Sequence, residues 1–157
     1  MNQNQLSNPL NGNVYVSDTK KHRIQLWTPG ATEGITVAGG NGPGKGANQL
    51  CIPKGLHVDG DGYIFVADTY NHRIQVWAPG ATEGITVAGG NGPGNGANQL
   101  LNPTLVYVDS GNVYVCDRGN NRIQLWTPGA TEGHTIKKGG SHNVDLRKIT
   151  KRITKKK

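Results

Sequence analysis

Apolar and polar residues alternate in short runs along this chain, most plainly in its middle third. Leu56-His57-Val58 alternates and stops at Asp59. Tyr63-Ile64-Phe65-Val66-Ala67 is a run of β-branched and aromatic residues, the types that pack well on a pleated surface. His72-Arg73-Ile74-Gln75-Val76-Trp77 places Ile74 and Val76 on one face of a strand and Arg73, Gln75 and Trp77 on the other. Gly84-Ile85-Thr86-Val87-Ala88 is a fourth run. Between them stand Asp59-Gly60-Asp61-Gly62, Asp68-Thr69-Tyr70-Asn71 and Pro79-Gly80, all built from turn residues. Four short strands joined by tight turns predict one antiparallel sheet, and an all-β fold.

That pattern recurs. Trp27, Trp77 and Trp126 lie 50 and 49 residues apart, and Asp18, Asp68 and Asp117 keep the same two spacings. The stretch GATEGITVAGGNGPG occurs twice without change, at Gly30–Gly44 and Gly80–Gly94. A lone four-stranded sheet cannot bury both of its faces. Stacked copies bury each other's, either radially as a propeller or linearly as a solenoid. Four strands per repeat of about 50 residues is the propeller figure, because β-solenoid repeats are much shorter. The units run approximately over residues 1–40, 41–90 and 91–140, with a separate segment at 141–157.

The runs VADTYNHRIQVW (Val66 to Trp77) and VCDRGNNRIQLW (Val115 to Trp126) resemble the NHL repeat. VSDTKKHRIQLW (Val16 to Trp27) is a third copy, with Lys21 in place of Asn. PKGLHVDGDGYIF (Pro53 to Phe65) is similar to the family pattern at its proline, glycine and Val-Asp positions. The resemblance implies NHL-type β-propeller blades of four antiparallel strands, in a ring that is typically six-bladed. It also implies that Leu56–Val58 lines a central channel and that Ile85–Ala88 is outermost. Two and a half to three blades make about half of such a ring. Two copies closing one ring as a homodimer, a longer protein of which this chain is a piece, and an open stack each fit that count.

The repeat breaks at both ends. Leu50 to Val66 is 16 residues, but Leu6 to Val16 is only 10, so the first blade is expected to lack its innermost strand. The third unit reads GHTIKKGG where the second has GITVAGG. His134 and Lys137 then stand in for Ile85 and Ala88, and the fourth strand is expected to decay.

Charge changes the picture less than its total suggests. The formal net charge is +7. Nine of the 17 Lys and Arg lie from Lys137 onward, against one acid, Asp145, leaving the repeat body at −1. Such a body does not by itself indicate nucleic acid, and the basic tail is expected to be disordered. Arg147, Lys148, Lys151 and Arg152 are its candidate contacts; Leu146, Ile149 and Ile153 form a weak helical stripe. No run is long enough to span a membrane. MNQNQLSNPL has neither basic nor apolar signal regions, so a cytoplasmic location is the default expectation. Cys51 and Cys116 lack CxxC spacing and read as free thiols.

Candidate chemistry is sparse. Asp18/Arg23, Asp68/Arg73 and Asp117/Arg122 recur five apart across a turn, close enough to pair. Recurrence in every blade makes them, with Trp27, Trp77 and Trp126, structural positions. Asp59 and Asp61 lack the spacing and closing Glu of a calcium loop. NGPGKGANQL (Asn41 to Leu50) lacks the Lys-Ser/Thr of a phosphate loop. No nucleophilic or acid-base set stands out, so no catalytic residue, cofactor or metal is expected. Some NHL-type lyases hold a metal through channel histidines, but here His57 is matched by Tyr107. The clustered Cys and His of the RING ligases to which NHL propellers are often joined are absent. Residues that differ between blades are better candidates: Lys20, Lys21, Tyr70 and Arg118, on the turns between second and third strands. Together they predict a basic and aromatic rim. The resemblance implies a non-catalytic scaffold that binds a protein there, with single-stranded RNA through rim and tail as the alternative and a metal-dependent lyase as a third.

Overall fold

The computed structural model describes residues 6–7, 11–139 and 146. Three four-stranded sheets follow one another, each a meander in which every strand pairs antiparallel with the next. The first blade holds β1 (Leu6–Ser7), β2 (Val14–Asp18), β3 (Arg23–Trp27) and β4 (Ile35–Gly39). The second holds β5 (Pro53–Val58), β6 (Ile64–Asp68), β7 (Arg73–Trp77) and β8 (Ile85–Gly89). The third holds β9 (Leu105–Asp109), β10 (Asn112–Asp117), β11 (Arg122–Trp126) and β12 (His134–Lys138). The chain is therefore all-β and built of propeller-type blades.

Register repeats with the sequence. Asp18, Asp68 and Asp117 stand opposite Arg23, Arg73 and Arg122. The third and fourth strands slip by a bulge at Ile24/Gln25, Ile74/Gln75 and Ile123/Gln124. The Asp59 turn is a hairpin closed by its own carboxylate, which accepts from the N–H groups of Asp61 (3.0 Å) and Tyr63 (2.9 Å).

Both expectations for the chain's ends need correction. The first blade does have an innermost strand, reduced to two residues, with Leu6 opposite Tyr15 and Ser7 opposite Val14. The chain is six residues short there, so the segment that aligns by sequence with Leu50-Cys51 is drawn into the sheet instead. The fourth strand of the last blade also persists, with the same register and bulge as its counterparts. An outer strand is held by backbone bonds and exposes most of its side chains. Lys137 at the buried Ala88 position therefore costs the strand little.

Blades stack face to face. The face of each sheet toward the preceding blade is its leading face, and the other its trailing face. Tyr15, Ile24 and Ala38 from the first blade's trailing face pack with Ile64, Val66 and Trp77 from the second's leading face. Ala67, Ile74 and Ala88 pack in the same way with Val113, Val115 and Trp126 of the third. Each seam is plugged by a fully buried linker leucine, Leu50 or Leu100. The two faces that alternate along β7 are thus both buried, each against a different blade. At the inner edge Gly55 N–H donates to Thr104 O at 2.9 Å. A Cβ on Gly55 would lie 2.5 Å from that oxygen, so the inner strands meet this closely only because the residue is glycine.

Candidate functional site: repeated clamps and an exposed rim

Each turn between second and third strands is a single 3₁₀ turn, at Thr19–Lys21, Thr69–Asn71 and Arg118–Asn120. The next residue, His22, His72 or Asn121, is left-handed at φ 54°, 51° and 50°. That conformation is uncommon outside glycine and Asn. In the two histidines it directs the ring at the following linker. His22 Nδ1 accepts from Ile52 N–H at 3.1 Å and His72 Nδ1 from Asn102 N–H at 3.0 Å. Thr19 and Thr69 hydroxyls donate to Pro53 O (2.8 Å) and Pro103 O (2.7 Å), fastening each turn to the next blade.

The recurring Asp and Arg form clamps. Arg73 Nε donates to Asp68 Oδ2 at 2.7 Å, and Asn71 Nδ2 donates to the same oxygen at 2.9 Å. Asp68 Oδ1 accepts from Cys51 N–H at 2.8 Å. The rest of the guanidinium holds the linker: Nη1 donates to Lys45 O (3.1 Å), and Nη2 to Gly46 O and Gln49 O (3.0 Å each). Asn71 Nδ2 also reaches Gly44 O at 2.7 Å. In the third blade Arg122 takes Asp117 at 2.7 Å with the carbonyls of Asn95, Gly96 and Gln99, while Leu101 N–H donates to Asp117. In the first blade Arg23 Nε donates to Asp18 Oδ2 at 2.9 Å, and among the described residues that is the clamp's whole set of bonds.

Electrostatics follow burial. Asp68 is fully buried, and desolvation pushes its carboxyl above the usual carboxylate range, against the lowering effect of the Cys51, Asn71 and Arg73 donors. Burial and the Asp68 carboxylate push the neighbouring Cys51 thiol up. Cys51 and Cys116 are not joined in a disulfide.

The four rim candidates are all exposed and share one edge of the stack, Tyr70 at 59%. Lys20 and Tyr70 hold the same place in their turns, where the third blade has Gly119. Arg118 stands one place earlier, where the other blades carry the fastening threonine. His57 lies on β5 with its ring 5.0 Å from that of Tyr107 on β9, edge to face. The described residues hold no group of three or more potential metal ligands. Trp77 and Trp126 are buried in the seams, whereas Trp27 is half-buried. Arg147, Lys148, Lys151 and Arg152 lie outside the described residues. Sequence reasoning missed the linker's role as the clamp's occupant. The signal was there: the linker and the Asp-Arg pair repeat together at a constant offset.

Comparison with known proteins agrees with this architecture. Residues 50–77 and 100–125 match the family model for the NHL repeat, so the second and third blades are NHL repeats of a partial β-propeller. No curated protein sequence matches the chain. A chain in the crystal structure of a nidogen/laminin complex is similar at TM-score 0.63 and 20% identity, over 83% of this chain and 45% of that one. A structural-genomics protein of unknown function from Bacteroides thetaiotaomicron gives 0.61 and 18%, over 78% and 34%. An auxiliary nutrient binding protein from the same organism gives 0.59 and 18%, over 77% and 36%. The chain thus spans less than half the length of these structures, and at such identities the likeness is one of fold. No helix among the described residues is long and apolar enough to cross a membrane.

Proposed function

We propose that the chain is a non-catalytic protein-interaction scaffold whose contact surface is the rim formed by Lys20, Lys21, Tyr70 and Arg118. One observation carries the reading: seams and linkers repeat almost without change, while the exposed turns on this one edge carry a different side chain in each blade. Repeated parts build the stack; specificity has to come from parts that differ. An exposed tyrosine beside cationic side chains suits an interface, where Tyr and Arg are favoured anchors. The solved nidogen/laminin complex shows a similar fold within an assembly of two proteins.

The test is affinity capture with a stabilised wild-type chain and with a Lys20→Glu, Lys21→Glu, Tyr70→Ala, Arg118→Glu variant of unchanged circular dichroism. A partner retained by the first and lost by the second supports the rim. Equal capture by both overturns it. Binding to single-stranded RNA that weakens steeply with salt and depends on Lys20, Lys21 and Arg118 would replace the protein reading by the nucleic-acid one.

A further inference from the structure

We propose that the two edges of the blade stack are complementary docking surfaces, and that the rim of Lys20, Lys21, Tyr70 and Arg118 meets the opposite, acidic edge of a second copy of this chain. The inference rests on the rim as a contact surface and names a partner for it.

The charges of the described residues are sorted by edge. These residues carry ten Lys and Arg and nine acids. Three of each are spent in the Asp–Arg clamps, and among the described residues those clamps are the ion pairs. Every remaining acid stands at the edge where first strands turn into second strands and third strands lead to fourth. Asp59 and Asp61 belong to the hairpin after β5, and Asp109 closes the equivalent hairpin opposite Asn112. Glu33, Glu83 and Glu132 each stand two residues before an outer strand and are exposed.

Every remaining base stands at the other edge, with the rim. Lys54 follows Pro53, which lies opposite Asp68. Lys138 lies opposite Arg122, with Lys137 beside it. Lys45 belongs to the linker whose carbonyl oxygen Arg73 Nη1 holds. A meander makes this sorting possible, because each of its turns lies at one edge or the other. The repeat then copies whatever charge a turn carries from blade to blade.

The two edges do not neutralise each other within one copy. A five-residue strand spans about 17 Å, against a Debye length of about 8–10 Å near physiological salt. Stacking a rim on an acidic edge brings unlike charges into contact instead. The described residues are near neutral in sum, so they add little repulsion between copies. Spacing selects the second copy over other acidic surfaces. Glu33, Glu83 and Glu132 recur from blade to blade at the same interval as the turns that carry Lys20, Tyr70 and Arg118. Each edge also offers an exposed tyrosine, Tyr70 at 59% and Tyr63 at 42%, a side chain favoured in interfaces. Contact between unlike edges is heterologous: a stacked pair still has one basic and one acidic edge free, and so grows.

The experiment is sedimentation velocity of the full chain at neutral pH in about 0.05 M and about 0.5 M salt, where the Debye length is about 14 Å and about 4 Å. Oligomers beyond the dimer are expected at the lower salt, with association at least about tenfold weaker at the higher. A rim variant carries Lys20→Gln, Lys21→Gln and Arg118→Gln. An edge variant carries Glu33→Gln, Asp61→Asn, Glu83→Gln, Asp109→Asn and Glu132→Gln, keeping Asp59 because it closes its hairpin. Each should be monomeric alone. Mixed one to one they should form a dimer that grows no further, since each pair then has one intact edge of each kind; that recovery also shows both variants to be folded. A wild-type chain that stays monomeric at low salt overturns the proposal but not the rim, which falls only on equal capture in the test above. Association kept by the rim variant also overturns it, because the basic segment after β12 would then be meeting the acidic edge. So does a mixture that stays monomeric while each variant retains wild-type circular dichroism.

Discussion

The clamps of the first and second blades share residue types, register and an Asp–Arg bond of similar length, 2.9 Å against 2.7 Å. They differ in what surrounds them. Asp68–Arg73 closes over a linker and disappears from solvent; Asp18–Arg23 faces outward. A motif defined by sequence is therefore two different physical objects. In the second blade it is a buried, fully bonded lock that ties strand to linker. In the first it is a surface ion pair of little energetic consequence. The trailing faces differ again. Tyr114, Cys116 and Ile123 of the third blade are buried although no fourth blade follows among the described residues, and Leu146, described apart from the rest, is buried as well.

This contrast can be broken by mutation. Arg73→Ala should cost about 3–5 kcal/mol, since it strands a buried carboxylate. Arg23→Ala, the same substitution one blade earlier, should cost at most about 1 kcal/mol. Urea midpoints of the two variants decide it, and equal losses would mean the first clamp is filled in solution. Leu50→Ala or Leu100→Ala should follow at about 2–5 kcal/mol, by opening a cavity in a seam, measured in the same way.

A smaller effect of opposite sign is expected at Ile52. It is a β-branched residue at φ 52°, where the third blade has Asn102 at φ 48°. Ile52→Asn should stabilise the chain by about 1 kcal/mol in thermal or urea unfolding, by relieving left-handed strain.

The mildest test uses chemistry alone. Because burial and Asp68 raise the Cys51 thiol, its thiolate fraction at pH 8 lies below that of a free cysteine, and iodoacetamide should modify it slowly. Asp68→Asn removes the nearby negative charge, lowers the thiol pKa and should speed the reaction. An unchanged rate in a folded variant would show that burial alone controls it.

Much of the fold was legible in the chain because its signals are local. Period-two alternation, turn residues and a fixed repeat mark strands whatever surrounds them. The expectation of a missing inner strand failed because two residues with free backbone groups suffice to pair an edge, whatever their side chains. The decay expected at His134–Lys138 did not occur because outer strands ask little of their side chains. The rim residues could be picked out as the variable positions on repeated turns. That Arg118 replaces a fastening threonine became visible only with the register.

By itself, the sequence determined the strands, their order and the identity of the repeated clamp residues, since these depend on neighbours a few positions away. Only the tertiary structure decided which clamps are locked. That depends on a linker 23 to 28 residues earlier in the chain reaching the arginine, and on whether the backbone at Leu6 joins a sheet. Nothing in the local pattern around Leu6 and Leu50 distinguishes strand from linker; the length of chain to the aligned valine, 10 residues to Val16 against 16 to Val66, makes the choice.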